Sequence, residues 1–126
     1  MSKTIISTAD APAAIGVYSQ AVRAGNTLWV SGQIPLDPST KELVKGGIDA
    51  EIHQVFKNLR AILSAAGASF DEVVKATVFL TDLSHFAAVN RIMAEYFREP
   101  YPARAAVGVA ALPRGAQVEV ECIAAL

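Results

Sequence analysis

The pattern of hydrophobic and polar positions along the chain predicts two amphipathic helices, over residues 48–66 and 84–99. In both segments apolar residues recur at steps of three and four, which is the spacing of one face of an α-helix. The first stripe contains Ile48, Ile52, Val55, Phe56, Leu59, Ile62, Leu63 and Ala66. The second contains Phe86, Val89, Ile92, Met93, Tyr96 and Phe97. Glu51 and Asn58 are assigned to the polar side of the first helix, which Gly67 ends.

Alternation every two residues predicts strands before, between and after the helices. Residues 21–24 and 28–34 flank a turn at Gly25 and Asn26, which predicts a β-hairpin. Residues 73–81 form a further predicted strand. Residues 103–111 and 118–126 are predicted to be two more strands, joined as a hairpin by residues 112–115. The predicted order is therefore ββ, α, β, α, ββ.

This order indicates an α+β fold: a single mixed β-sheet with two helices packed on one face. The whole chain, residues 1–126, is expected to form one domain. The uncovered face of the sheet is expected to carry small and apolar residues, namely Ala106, Gly108, Ala110, Ile123 and Ala125. Because such a face is poorly suited to water, we expect it to pack against copies of the same chain.

Composition narrows the classes of protein that fit. Of 126 residues, 52% are hydrophobic and 18% charged, which excludes a disordered chain. The net charge of −1 and the lack of a basic run argue against a nucleic-acid partner. No apolar run approaches the ~18–20 residues of a membrane span, and the N-terminus lacks a signal-peptide core. We therefore expect a cytoplasmic protein with no membrane partner. The single cysteine, Cys122, excludes an intramolecular disulfide and a Cys-rich zinc site.

Three charged residues in predicted strands are candidates for chemistry. Alternation puts Arg104 on the same face of its strand as Ala106, and Glu119 on the same face of its strand as Glu121. All three charged residues could instead be solvated, and for Glu121 a solvated or structural role is the favoured interpretation. In the predicted hairpin Glu119 lies opposite Gly108, which leaves Arg104 ~13 Å further along its strand. If both act on one small ligand, they must therefore meet across a subunit interface.

Two further segments could contribute to a binding site. Ser31 and Gly32 follow a strand that contains Trp29, and a glycine there lets a ligand approach the backbone closely. The alternative is a bulge at the end of a strand. Tyr18 could be a phenol donor at a pocket or an amphipathic edge residue, and the sequence leaves both open. Neither His53 nor His85 has a second ligand at metal spacing, so no metal site is predicted.

These residues belong to a longer pattern, and in that pattern the chain resembles the reactive intermediate deaminase family, also called Rid or YjgF, over almost its whole length. The matching segments are residues 11–21 (APAAIGVYSQA), 30–35 (VSGQIP), 59–67, 74–83 (VKATVFLTDL), 86–90, and the segment from YPAR at 101 through LP at 112 to VEVE at 118–121. This set of motifs in this order is far more specific than one short motif.

The resemblance implies a chorismate-mutase-like fold and a homotrimer with an active site at each of its three interfaces. It implies hydrolysis of reactive 2-enamino and 2-imino acids, such as 2-aminoacrylate and 2-iminobutyrate, to 2-keto acids and ammonia. The implied activity is that of a 2-iminobutanoate/2-iminopropanoate deaminase with no metal or organic cofactor. By correspondence the site contains Arg104 as carboxylate ligand, Glu119 as the residue that orients water, and Tyr18, Ser31, Gly32, Asn90 and Ala106.

The chain departs from the family pattern at two positions. Ala106 stands where many members have cysteine, and Val17 stands where a proline is usual. If only the backbone N–H at position 106 binds substrate, alanine preserves the function; if the thiol matters, turnover or preference changes. The main alternative is therefore a trimeric small-carboxylate-binding or chaperone-like protein that uses the Arg104 pocket without significant catalysis. A ribonuclease is less favoured because of the charge balance.

Overall fold

The computed structural model describes residues 2–126 and contains a six-stranded mixed sheet covered on one face by two α-helices. The strands are β1 (Thr4–Ile6), β2 (Ala21–Ala24), β3 (Thr27–Gln33), β4 (Val73–Leu80), β5 (Ala103–Gly108) and β6 (Val118–Ala125). The helices are α1 (Ile48–Ala65) and α2 (Phe86–Tyr96). The sheet order is β1-β2-β3-β6-β4-β5, and only the β4–β5 pair is parallel. The predicted α+β class is confirmed.

The elements expected from the sequence are present with small shifts. Helix α1 ends where predicted, and Gly67 follows it with a positive φ of 77°, which favours glycine. Helix α2 is shorter than predicted because a 3₁₀ turn over Leu83–His85 precedes it and Phe97 is already extended. The short strand β1 was not anticipated, since three residues are too few to establish an alternating pattern.

The predicted hairpin between the last two strands is wrong. Strand β6 lies between β3 and β4, and β5 pairs in parallel with β4 at the edge of the sheet. Parallel neighbours need a crossover connection, and α2 supplies it between β4 and β5. The alternation within residues 118–125 predicts a strand, but it carries no information about which strand is its neighbour.

The assignment of Ala106 and Gly108 to the uncovered face is also wrong. In the parallel pair Arg104 lies beside Ala76 and Ala106 beside Val78, and the side chains of Ala76 and Val78 are buried in the core. Ala106 itself packs against that core. Residues 103–108 are small or apolar on both sides of the strand apart from Arg104, so alternation alone could not decide which side faces the helices.

The uncovered face does carry the β6 residues expected there. Ile123 and Ala125 alternate with Cys122 and Ala124, which are buried on the helix side. Ala110 lies outside β5, in a bend after the strand has ended. Trp29, on β3, is 52% exposed and pairs with Ile123. An apolar surface therefore remains on the face opposite the helices.

Two residues assigned to the polar side of α1 are in fact buried. The carboxylate of Glu51 accepts hydrogen bonds from the Gln117 backbone N–H at 2.8 Å and side-chain Nε2 at 2.7 Å. The Asn58 side chain donates to the carbonyls of Leu36 at 3.0 Å and Ile34 at 3.3 Å. Because buried polar groups need partners, these contacts fix the segments that follow β3 and precede β6. No helix within residues 2–126 has both the length and the apolar character that a bilayer crossing requires.

Candidate functional site

The predicted site residues other than Ala106 line two separate cavities. The first, of about 650 Å³, lies where β3 and β6 meet the segment between β1 and β2. Its lining includes Tyr18, Ser31, Gly32, Arg114, Glu119 and Glu121. The second, of about 420 Å³, lies between α2 and β5. Its lining consists of Asn90, Met93, Ala94, Tyr101, Pro102 and Arg104.

Ser31 and Gly32 form an irregularity in the β3–β6 ladder. Val30 pairs with Cys122 and Gln33 pairs with Val120, so three steps on β3 correspond to two on β6. A bulge of this kind bends the strand and leaves its extra residue unpaired. The segment is therefore both a bulge and a candidate binding surface, because the bulge forms one wall of the first cavity.

Both hydrogen-bond donors of Ser31 are used within the chain. Its Oγ donates to the Ser19 carbonyl at 2.6 Å, and its N–H donates to the Gln20 carbonyl at 3.0 Å. Ser31 thus ties the bulge to the segment that carries Tyr18. Its hydroxyl oxygen remains able to accept a hydrogen bond from a ligand.

Glu119 extends from β6 towards the bulge and lies against Gly32. A Cβ atom at position 32 would lie 3.0 Å from Glu119 Cδ and would overlap Oε2. Glycine is needed here for space rather than for a left-handed backbone. Glu119 is half-buried, and this burial, followed by the negative charge of Glu121, raises its pKa. A carboxyl group with a raised pKa in a cavity is a candidate for exchanging protons with water or a ligand.

Tyr18 lines the same cavity, and its side chain is 53% exposed. Its hydroxyl accepts a hydrogen bond from the Ile15 N–H at 3.1 Å, which closes the turn around Gly16 and Val17. Val17 projects entirely into solvent. The contact between Tyr18 and Ile15 fixes the phenol at the cavity without a proline at position 17.

Sequence reasoning missed Gln20, which fixes the segment before Tyr18. Its side chain is 3% exposed and accepts from the Thr8 N–H at 2.7 Å. Its Nε2 contacts the carbonyls of Thr8 at 3.0 Å and Pro12 at 2.8 Å, with a longer contact to Ala11 at 3.4 Å. The only sequence signal is a long polar side chain directly before a buried strand, which is too common to be specific.

Arg104 is held by one face of α2 in the second cavity. Its Nη1 donates to Asn90 Oδ1 at 2.6 Å and contacts Met93 Sδ at 3.6 Å. The guanidinium carbon lies 5.0 Å from the centroid of the Phe86 ring. Ala106 follows on the same side of β5 and is partly buried. Asn90 thus contacts the arginine, and Phe86, predicted as a core residue, remains 37% exposed beneath it.

Arg104 and Glu119 do not meet within the chain. Arg104 pairs with Ala76 of β4 on the helix-covered face, whereas Glu119 pairs with Phe79 of β4 on the opposite face. Three residues along β4 and two strand spacings across the sheet separate them, about 10 Å in each direction. The separation expected from the sequence is present, although it arises from a different strand pairing.

Other chemistry-bearing groups lie away from the two cavities. His53 Nδ1 is 2.8 Å from the Tyr96 hydroxyl, in a contact between α1 and α2. The thiol of Cys122 is buried, and burial raises its pKa to about 12. Within residues 2–126, no group of three or more His, Cys, Asp or Glu side chains is arranged to hold a metal ion.

Comparison with known proteins adds evidence independent of this geometry. A family model described as Endoribonuclease L-PSP matches residues 8–126. A 2-iminobutanoate/2-iminopropanoate deaminase from Mus musculus is 55% identical over 122 residues, covering 97% of this chain and 90% of the mouse protein. A RutC family protein from Pyrococcus horikoshii is 52% identical over 122 residues and 97% of each chain. The crystal structure of RidA from Psychrobacter sp. PAMC 21119 matches with a TM-score of 0.94 and 54% identity, covering 98% of this chain and 99% of that protein.

Proposed function

Because the chain belongs to the Endoribonuclease L-PSP family, which includes the Rid and YjgF proteins, we propose that it hydrolyses 2-imino and 2-enamino acids to 2-keto acids and ammonia. The observation that carries the proposal is Glu119, a half-buried carboxyl group of raised pKa against Gly32 in an open cavity. Relatives more than half identical to the chain and named as imine deaminases support it. Suitable substrates are 2-iminobutyrate, 2-iminopropionate and its enamine tautomer, 2-aminoacrylate.

In this proposal Arg104 binds the substrate carboxylate. A guanidinium group and a carboxylate form two parallel charge-assisted hydrogen bonds, which fix the angle of the ligand as well as its position. With the carboxylate held, the C=N carbon is presented to a water molecule beside Glu119. No covalent nucleophile is needed because the carbon of a protonated imine is already electrophilic.

Glu119 then transfers the protons. Its carboxylate accepts a proton from water as the water oxygen bonds to the C=N carbon, which gives a carbinolamine. The same carboxyl group returns that proton to the nitrogen, and the C–N bond breaks to release ammonia. The hydroxyl proton passes to the Glu119 carboxylate as the C=O bond of the keto acid forms, and this proton leaves with the ammonia as ammonium. A group that acts in both directions works best with a pKa near the working pH. For an enamine, a proton must first reach the β-carbon, supplied by Glu119 through water or by Tyr18.

The proposal requires more than one copy of the chain. Arg104 and Glu119 line different cavities, on opposite faces of the sheet, so one small substrate reaches both only where two copies meet. The apolar face opposite the helices, with Trp29 52% and Val107 41% exposed, supplies surface for such contacts. We therefore propose a homotrimer with three shared sites, in which each site takes Arg104 from one copy and Glu119 from its neighbour.

A coupled assay tests the activity. A serine dehydratase generates 2-aminoacrylate, and its decay is followed with and without this protein. We expect acceleration with the native chain and none with Arg104→Ala. Glu119→Gln should still bind a 2-keto acid but lose about 10²–10⁴-fold in turnover, the usual contribution of general acid–base catalysis. Unchanged kcat/KM in Arg104→Ala would refute the carboxylate role, and unchanged turnover in Glu119→Gln would refute the role of the acid.

Ala106 is the observation that favours a second candidate, a small-carboxylate-binding protein without significant catalysis. A side chain at this position lies two residues from Arg104 on the same face, and alanine offers no reactive group there. Binding of a 2-keto acid without acceleration of 2-aminoacrylate decay would select this candidate. RNA cleavage that scales with protein concentration and survives Arg104→Ala would instead support the endoribonuclease activity that the family description names.

A further inference from the structure

The contacts of Arg104 leave one edge of its guanidinium group available to a ligand. Nη1 carries two hydrogens, and the two acceptors near it are Asn90 Oδ1 at 2.6 Å and Met93 Sδ at 3.6 Å. Within residues 2–126 the structure records no protein acceptor for Nε or Nη2 of this arginine. These two nitrogens form one edge of the guanidinium plane, with parallel N–H groups suited to a carboxylate.

The contacts come from one helix at a regular spacing. Phe86, Asn90 and Met93 occupy positions i, i+4 and i+7 of α2, so their side chains form a single stripe. Phe86 lies at the first turn of the helix, and its ring faces the guanidinium, with 5.0 Å between Cζ and the ring centroid. An aromatic face within about 6 Å attracts a cation through its quadrupole. Phe86 is also the most exposed apolar residue of this stripe, which core packing alone does not explain.

From this arrangement we propose that Phe86 is a positioning residue, whose ring together with Asn90 turns the Nε–Nη2 edge of Arg104 towards the substrate carboxylate. Asn90 then acts through the arginine rather than by touching the substrate. The inference rests on the proposed function only in taking a carboxylate as the ligand of Arg104. It adds an aromatic platform to the determinants of carboxylate recognition.

The test compares two substitutions at one position. Phe86→Leu removes the ring and keeps apolar volume, and Phe86→Tyr retains an aromatic face. Binding of 2-oxobutyrate and of its uncharged amide, 2-oxobutanamide, is measured by calorimetry for the native chain and both variants. We expect Phe86→Leu to raise the Kd of the keto acid about 3- to 10-fold, as for loss of one cation–π contact, with little change for the amide. Phe86→Tyr should retain the native discrimination between the acid and the amide.

Every outcome of this measurement decides the proposal. An equal loss of affinity for acid and amide in Phe86→Leu, or no loss for either, would overturn the proposal. Loss of discrimination in Phe86→Tyr would overturn it as well. If the native chain bound the acid no better than the amide, the presented edge would have no role. Thermal unfolding of each variant identifies simple destabilisation. Since the readout is binding, absence of 2-aminoacrylate hydrolysis would refute the proposed activity while leaving this result interpretable.

Discussion

The carboxylate of Glu119 occupies the space that a Cβ atom of residue 32 would fill, so the acid and the bulge of β3 hold their positions only because residue 32 is glycine. This relationship joins two strands whose residues are 87 positions apart in sequence. It gives Gly32 a role that does not require the glycine to contact substrate.

Gly32→Ala should displace the Glu119 carboxylate and reduce turnover. The added methyl group would overlap Oε2, and insertions into well-packed regions cost about 1–3 kcal/mol. We expect lower kcat and a lower free energy of unfolding by urea. In a Glu119→Ala background the clash partner is missing, so the same substitution should cost much less stability. An equal cost in both backgrounds would show that a methyl group at position 32 does not clash with the Glu119 carboxylate.

The pH dependence of stability should report the setting of Glu119. Burial, and secondly the charge of Glu121, raise its pKa above the ordinary value of 4.5. The folded chain therefore holds this proton more tightly than the unfolded chain, and the stabilisation present at low pH is lost as pH rises through the raised pKa. Glu119→Gln should consequently be more stable than the native chain at pH 7. The difference should shrink as pH falls through the raised pKa and level off below about pH 4.5, the ordinary value. A constant difference from pH 3 to 8 would contradict a raised pKa.

Glu121 offers a second test of the same electrostatics. Its charge is one of the two causes of the raised pKa of Glu119, and its side chain is exposed. If Glu119 must be ionised to accept a proton from water, kcat/KM falls as pH drops through its pKa. Glu121→Gln should therefore move the acidic limb of the kcat/KM profile to lower pH and leave the plateau nearly unchanged. A plateau lowered to the level of Glu119→Gln would instead identify Glu121 as the base.

Mixed oligomers test whether the site is shared between copies. Arg104→Ala and Glu119→Gln chains, each inactive alone, are coexpressed with different tags and purified through both. In a cyclic trimer that takes Arg104 from one copy and Glu119 from the next, every mixed trimer has one complete site, so material purified through both tags should regain about a third of the sites. If both residues acted within one chain, no site would be restored. The expected mass is about 40 kDa, three times the 13.3 kDa chain.

Gln20→Leu should loosen the segment that carries Tyr18. The substitution removes the partner of the Thr8 N–H and the donor to the Thr8 and Pro12 carbonyls, and each buried group left unsatisfied costs about 1–3 kcal/mol. Hydrogen exchange of residues 8–18 should accelerate, while exchange in β4 stays slow. Glu51→Leu is a matched control, because it removes a buried polar contact near β6 instead. Equal acceleration of residues 8–18 in both variants would show that Gln20 has no local role.

The sequence predicts the local elements well because each depends on a pattern within its own segment. The stripe of α1 and the alternation of β3, β4 and β6 are set by neighbours a few residues apart. The neighbour of a strand is a different matter: β6 alternates equally well beside β5 or between β3 and β4, and only the packing of the whole sheet decides. The same limit applies to Ala106, because the residues on both faces of its strand are small or apolar apart from Arg104.

The same limit separates the site residues that the sequence identifies from those that it misses. Arg104 and Glu119 stand out in the sequence because charge is rare in their strands, and the family resemblance adds roles for Asn90 and Tyr18. Phe86 was predicted as a core residue, since a phenylalanine in an apolar stripe has the same pattern whether it packs inward or beneath a guanidinium. The buried bonds of Gln20 were not predicted either, because a pattern of polarity does not show where a polar side chain finds its partners.

The two cavities also differ in how far along the chain their contacts reach. Arg104 meets Asn90 and Met93 across 14 and 11 residues, within the single β4–α2–β5 crossover. Glu119 contacts Gly32 only when β6, the last strand, is in place between β3 and β4 in the middle of the sheet. Closing the longer loop costs more chain entropy, so during folding the contacts of Arg104 with α2 can form before the contact of Glu119 with Gly32. For the proposed reaction, the contacts that position Arg104 for a carboxylate would thus form earlier in a nascent chain than those that position Glu119 for water.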